Sequence, residues 1–264
     1  MDKLKAILKS TLFGAIMLLF LALSAIIAKA LKLSANRTYI FEGSFMLLSL
    51  IVPLLFVGSS NISFSEIGFN KPTKKIFKDV LYYLPLVVAL VPILIFMRHK
   101  INVKSLVVML YFYGCLAIAA EVYFRGLIQH FLRGKFNIII VLAFASVLFA
   151  LCNLYYLNRI TYIKHILVLS VGSFALAGIC GLIIEKKGLI LFTIIFDALY
   201  LLFSASFIKS GKNMILGQGI SCIILLIYGL YMLVFYFKEG KTNKQENKEE
   251  IEENSETVED AVLE

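Results

Sequence analysis

The chain alternates long apolar runs with short polar connections. A run needs ~20 residues to cross a bilayer, fewer where neighbouring helices cover its ends. Eight runs qualify: Leu12–Ile27, Tyr39–Val57, Val80–Met97, Leu106–Ala120 (continuing into the polar stretch after it), Ile138–Cys152, Ile166–Ile184, Leu189–Phe203 and Ile215–Phe237. In lipid every backbone N–H and C=O must be satisfied internally, so these runs are helices. The pattern predicts an all-α, polytopic transmembrane helix bundle of about eight spans. Pro53, Pro85 and Pro92 fall inside two runs, where a kink is tolerated. Lys3, Lys5 and Lys9 before the first run, with Ala28-Lys29-Ala30 after it, resemble a signal peptide and its cleavage site. An uncleaved first helix is the expectation, because seven further spans follow. The connection Asn61–Lys78 mixes Phe64, Ile67, Phe69 and Ile76 with Lys71, Lys74, Lys75 and Lys78, which predicts a segment lying on the head groups. No period suggests an internal repeat.

Composition sharpens this picture. Hydrophobic residues make up 60% of the 264 and charged residues 16%, against ~25% charged in an average soluble domain. So much apolar surface excludes a water-facing globule. Cys115, Cys152, Cys180 and Cys222 lie far apart in apolar stretches and form no CxxC pair, so they read as small buried hydrophobes. Three His and no Trp leave little material for a haem or His-rich metal site. The net charge of +9 divides into +15 on residues 1–237 and −6 on the rest. The expected organisation is one membrane-embedded domain, 1–237, and a disordered acidic tail, 238–264.

The cations sit singly on many short loops. That arrangement suits a lipid bilayer with anionic head groups, with a membrane peptide or protein as a further partner; nucleic acid is not expected. The Lys and Arg of the two sets of loops nearly balance, so charge barely orients the chain. Eight spans place both termini on one side, expected to be the cytoplasmic side of the cell membrane. Richness in Lys, Ile and Asn suggests an AT-rich bacterial genome.

Charge inside a bilayer costs ~2.5–3.5 kcal/mol per central Asp, Lys or Arg, so each such residue needs an explanation. Residues 1–237 hold seven acids: Asp2, Glu42, Glu66, Asp79, Glu121, Glu185 and Asp197. Five are terminal, in loops or at span edges, which leaves Glu121 and Asp197. Glu121 has Arg125 at i+4, with the acid on the favourable N-terminal side. This is read either as a structural ion pair or as part of a site. Asp197 has no cation at i±3 or i±4, so it is protonated, bonded to another helix or open to a polar cavity. Asn153 reads as a helix-end residue at the interface. His130 and His165, near span ends, read as interfacial and outside any site.

Three segments together resemble the CPBP family (CAAX proteases and bacteriocin-processing enzymes, also called the Abi family), which is built on the motifs EExxxR, FxxxH and HxxxN. Ala120-Glu121-Val122-Tyr123-Phe124-Arg125-Gly126 looks like EExxxRG without its first Glu. Phe149-Ala150-Leu151-Cys152-Asn153 looks like FxxxH without the His, and Asp197-Ala198-Leu199-Tyr200-Leu201 like HAxxN without His and Asn. Two flanking pieces agree. Gly178-Ile179-Cys180-Gly181, followed by Glu185-Lys186-Lys187-Gly188-Leu189-Ile190, is similar to the family's glycine-rich helix and its turn. Glu66-Ile67-Gly68-Phe69-Asn70-Lys71-Pro72 is similar to its short segment before the motif helices.

The resemblance implies an intramembrane metalloprotease fold. In the family the first Glu activates water, and the two His, with the Asn, bind metal or polarise the carbonyl. Here those positions are Ala120, Asn153, Asp197 and Leu201, while Glu121, Arg125 and Phe149 keep the framework. Asn is a poor zinc ligand and Leu201 cannot stabilise an oxyanion. The expectation is a pseudoprotease with no catalytic residue, no metal ligand and no cofactor, binding a membrane substrate or partner in the former catalytic cavity. Two alternatives stand beside it. One is an unusual enzyme in which Glu121, Asp197 and Asn153 form an oxygen-rich cage for Mn²⁺ or Mg²⁺. The other is a transporter or channel that uses Asp197.

Overall fold

A computed structural model describes residues 2–60, 62–70, 81–96, 102–158, 163–206 and 215–238. The acidic tail after Lys238 and the lysine-rich end of the Asn61–Lys78 connection lie outside the described residues, as does Asn61 itself. Each of the eight apolar runs is helical over most of its described length. Six helices are long and apolar enough to cross a membrane: Asp2–Ala30, Ala35–Ser59, Val103–Leu132, Ile138–Tyr155, Ile163–Lys187 and Ile215–Lys238. Two shorter apolar helices, Leu81–Ile95 and Ile190–Ser204, complete the set. The protein is a multi-pass, all-α membrane bundle.

In chain order, α1 spans Asp2–Ala30, α2 Ala35–Ser49, α3 Ile51–Ser59, α4 Leu84–Ile95 and α5 Val103–Ala120. A π-helical segment, Glu121–Ile128, continues α5 into α6, Gln129–Leu132. Then follow α7 at Ile138–Leu151, a 3-10 turn at Cys152–Asn158, α8 at Ile163–Lys187, α9 at Ile190–Ser206 and α10 at Ile215–Lys238. The run expected to continue past Ala120 does stay helical through the polar stretch to Leu132, and Glu121–Ile128 within it is buried throughout.

The bundle has two faces. Lys3 at the start of α1 lies over the Phe136 ring before α7, and Arg133 pairs with Glu185 at the end of α8. The Tyr83 hydroxyl before α4 donates to the Leu189 carbonyl, and Lys186 lies over Phe235 near the end of α10. The start of α1 and the end of α10 therefore share one face, here the near face. The end of α1, the start of α2 and the 3-10 turn share the far face.

Small residues set how closely the helices approach, as expected where lipid supplies no hydrophobic drive for helix association. The buried stripe of α1 is Ala6, Ser10, Phe13, Gly14, Met17, Leu21, Ser24 and Ala28, while Leu4, Leu8, Leu12, Leu19 and Ile26 face outward. On α2, a Cβ built on Gly43 would stand 3.0 Å from the Tyr111 ring and 3.2 Å from the Phe112 Cα of α5. The α2–α3 span breaks where Pro53, with no N–H, leaves the Ser49 carbonyl without its helical donor. The Tyr123 hydroxyl of the π segment donates to that carbonyl at 2.8 Å.

On the near face, Gly68–Asn70 pairs with Gly188–Ile190. The Asn70 amide donates to the Gly188 carbonyl at 3.4 Å, and the Ile190 amide to the Gly68 carbonyl at 3.0 Å. Positive φ at Gly68 (91°) and Gly188 (64°) permits both turns. The segment before the motif helices is thus tied to the turn that launches α9.

Candidate functional site

Three elements bring the motif positions together: the α5–π segment, the end of α7 and α9. Ala120, Phe149, Asn153 and Leu201 line one cavity of about 10 Å³, with Met17, Leu21, Leu116, Cys152 and Tyr155. That is room for one water at most. Ala120 and Leu201 add no polar atom to the walls. The Asn153 side-chain amide donates to the Ala150 carbonyl at 3.2 Å and is thereby spent on ending α7. Asn153 does end a helix, and at 3% exposed it is covered by protein; Met17 and Leu21 of α1 line the cavity beside it.

Glu121, Arg125 and Asp197 form a charged cluster beside this cavity. Glu121 Oε1 lies 3.4 Å from an Arg125 terminal nitrogen, with both side chains almost fully buried. Glu121 Oε2 accepts from the Thr193 hydroxyl of α9 at 2.8 Å. The Arg125 guanidinium stands 4.3 Å above the Phe149 ring, a cation–π contact, and Phe124 meets the same ring edge-on at 5.6 Å. Phe149 therefore belongs to both parts, walling the cavity and seating the arginine.

Asp197 is fully buried one turn along α9 from Thr193, within electrostatic reach of Arg125 and Glu121. Neither of its oxygens has a hydrogen-bond partner among the described residues, nor do the three Arg125 nitrogens or Glu121 Oε1. One cation is thus shared electrostatically by two buried acids. The π-helix places it there: Glu121, Arg125 and Gln129 all point inward along one line, and π turns are common at functional sites. The line continues to the near face, where the Gln129 amide donates to the Gly181 carbonyl at 3.1 Å and to Glu185 at 2.8 Å. Arg133 donates to the same Glu185 oxygen at 2.8 Å.

Of the three residues expected to form an oxygen-rich cage, Glu121 pairs with Arg125, while Asn153 lines the neighbouring cavity with its amide on the Ala150 carbonyl. Among the described residues no three His, Cys, Asp or Glu side chains are placed to hold a metal ion. The four cysteines are buried and free, with no disulfide among them.

His165, near the start of α8, is 2% exposed and packs within the bundle. One other sequence expectation changes. Glu42, set aside as a span-edge acid, is fully buried and accepts a hydrogen bond from the Tyr155 hydroxyl of the 3-10 turn. Its sequence signal was present, since it falls inside the run Tyr39–Val57. Thr193 was also missed, though it stands four residues before Asp197 on the same helical face. Glu42 and Tyr155 belong to a far-face cleft of about 770 Å³ between α1 and α2, lined by Leu18, Leu21, Ala22, Ala25, Lys29, Lys32 and Thr38 among others. Leu21 and Tyr155 wall both this cleft and the small motif cavity.

No curated protein matches the chain. The stretch that carries all seven motif positions, residues 102–203, matches the family model for Type II CAAX prenyl endopeptidase, Rce1-like, and the motif resemblance is borne out over that stretch.

Proposed function

We propose that the chain is a CPBP-type membrane protein without peptidase activity, a pseudoprotease that binds a membrane substrate or partner beside its former catalytic cavity. One observation carries this reading. The positions matching the family's water-activating Glu, its first His and its Asn are Ala120, Asn153 and Leu201, and all three line a space too small for a peptide bond and its attacking water. Hydrolysis needs a base within reach of that water and an electrophilic stabiliser for the oxyanion. Leu21, Leu116 and Leu201 offer neither. The remaining acids, Glu121 and Asp197, are not among the residues that line this cavity.

The test is purified protein, in detergent and in liposomes, incubated with a membrane-inserted peptide library with and without added Zn²⁺. The expected result is no cleavage. Cleavage that disappears in Glu121→Ala overturns the proposal. We place the protein in the cell membrane of a bacterium, with both termini cytoplasmic.

A further inference from the structure

We infer that the far-face cleft between α1 and α2 is a binding site for one anionic phospholipid, with its phosphate held by Lys29 and Lys32 and its acyl chain laid along α1 toward the motif cavity. The inference does not depend on whether the chain hydrolyses peptides.

The cleft has the length and polarity order of a lipid in one leaflet. Its α1 wall runs from Lys32 and Lys29 at the rim through Ala25, Ala22 and Leu21 to Leu18. Lys29 to Leu18 is eleven residues of helix, about 16 Å. One leaflet contributes half of a ~30 Å hydrocarbon core. The cations and the Thr38 hydroxyl gather at the end where the helices reach the membrane surface, and the middle is alanine and leucine. A volume of about 770 Å³ lies within the ~300–1,000 Å³ range of ligand pockets.

The shape of the cleft follows from small residues. Ala22 and Ala25 leave a trough along α1 that larger side chains would fill, whereas Leu19 and Leu23 stand out beside it. The cleft's one acid, Glu42, lies a turn deeper on α2 than Thr38, and the Tyr155 hydroxyl donates to it. The anionic group is therefore on the floor and the cations are on the rim. That order excludes a ligand with a deep anionic end and favours one whose negative charge stays at the surface.

The test compares the thermal stability of delipidated protein in detergent with added dioleoyl phosphatidylglycerol, dioleoyl phosphatidylcholine or glycerol phosphate, with native mass spectrometry counting bound lipid. Phosphatidylglycerol at a hundredfold excess over its Kd is expected to raise Tm by about 5 °C or more, with one lipid retained. Phosphatidylcholine and glycerol phosphate are expected to do neither. Lys29→Gln/Lys32→Gln weakens retention tenfold or more. Ala22→Trp, which fills the trough from an exposed position, abolishes it. Arg37→Gln/Lys104→Gln removes the same charge from far-face positions outside the cleft and leaves retention unchanged. Each variant's Tm without lipid shows that it folds.

Four results overturn the inference. Equal stabilisation by phosphatidylcholine would make the effect one of detergent replacement. Equal loss in the Arg37→Gln/Lys104→Gln variant would make it general surface charge. Full competition by glycerol phosphate would make it an anion site with no place for a chain. A polypeptide retained in place of lipid also refutes it.

Discussion

Arg125 is 2% exposed and answers to two acids on different helices. Removing it leaves Glu121 and Asp197 together in a low-dielectric interior, so Arg125→Ala is expected to destabilise by about 3–5 kcal/mol. Asp197→Asn keeps the shape, removes one charge and leaves the Glu121–Arg125 pair intact, so its effect should be near zero. Thermal unfolding of both variants in the same detergent decides, and the reverse order refutes this charge assignment. Thr193→Val isolates a smaller contribution. It deletes the donor to Glu121 without changing volume, and should cost about 1–3 kcal/mol through the unsatisfied oxygen. The Glu121–Arg125 pairing was legible in the sequence because i+4 spacing survives the change of helix type. For Glu42 the sequence showed its place inside an apolar run, but its partner was not legible, because that partner is a tyrosine 113 residues away.

At the scale of elements, Pro53 and Tyr123 form a testable unit. Tyr123→Phe removes the hydroxyl that satisfies the Ser49 carbonyl and should cost about 1–3 kcal/mol. Pro53→Ala restores a backbone amide at position 53 that can serve that carbonyl, and the cost of Tyr123→Phe should then shrink. An unchanged cost in the double-mutant cycle shows that the two are independent. Gly43→Ala should destabilise by about 1–3 kcal/mol, because its new methyl meets the Phe112 backbone, which cannot turn aside.

The near-face turn carries a pH dependence. Glu66 accepts from the Ser63 hydroxyl at 2.8 Å and the Ser63 amide at 3.1 Å, which holds its carboxyl below the usual glutamate range. A depressed carboxyl stabilises the turn at pH above its unfolded value, and this is lost as pH falls through the folded one. Exchange at the Gly68 and Phe69 amides, corrected for intrinsic rate, should therefore rise as pH drops below 4.5 in the native protein. In Glu66→Gln it should not. The spans were legible because lipid forces long apolar runs. The pairing of Gly68–Asn70 with Gly188–Ile190 was not, because two amide bonds between distant loops leave no period in the sequence.

The whole molecule is an antiparallel array whose charged line and greasy trough enter from opposite sides. Gln129, Arg133 and Glu185 connect the buried cluster to the near face, while Leu21 and Tyr155 separate the far-face cleft from the motif cavity. Eight crossings put the start of α1 and the end of α10 on one side. Membrane-impermeant labelling of single cysteines placed at residue 2 and residue 238, in a background without the four native cysteines, should give the same accessibility at both. Opposite accessibility refutes the eight-span topology.

The wide-wound stretch Glu121–Ile128 acts as a phase adjuster between two halves of one long rod. Residues before it face α2, and residues after it carry Gln129 and Arg133 to the other membrane surface. Regular α winding over the same eight residues would advance everything beyond them by about one further residue's turn, about 100°. Gln129 and Arg133 would then swing toward acyl chains, away from Glu185. The wide winding consequently holds the far half of the rod in phase, and removing one of the eight residues, which lets ordinary winding keep that phase, should do less harm than inserting one.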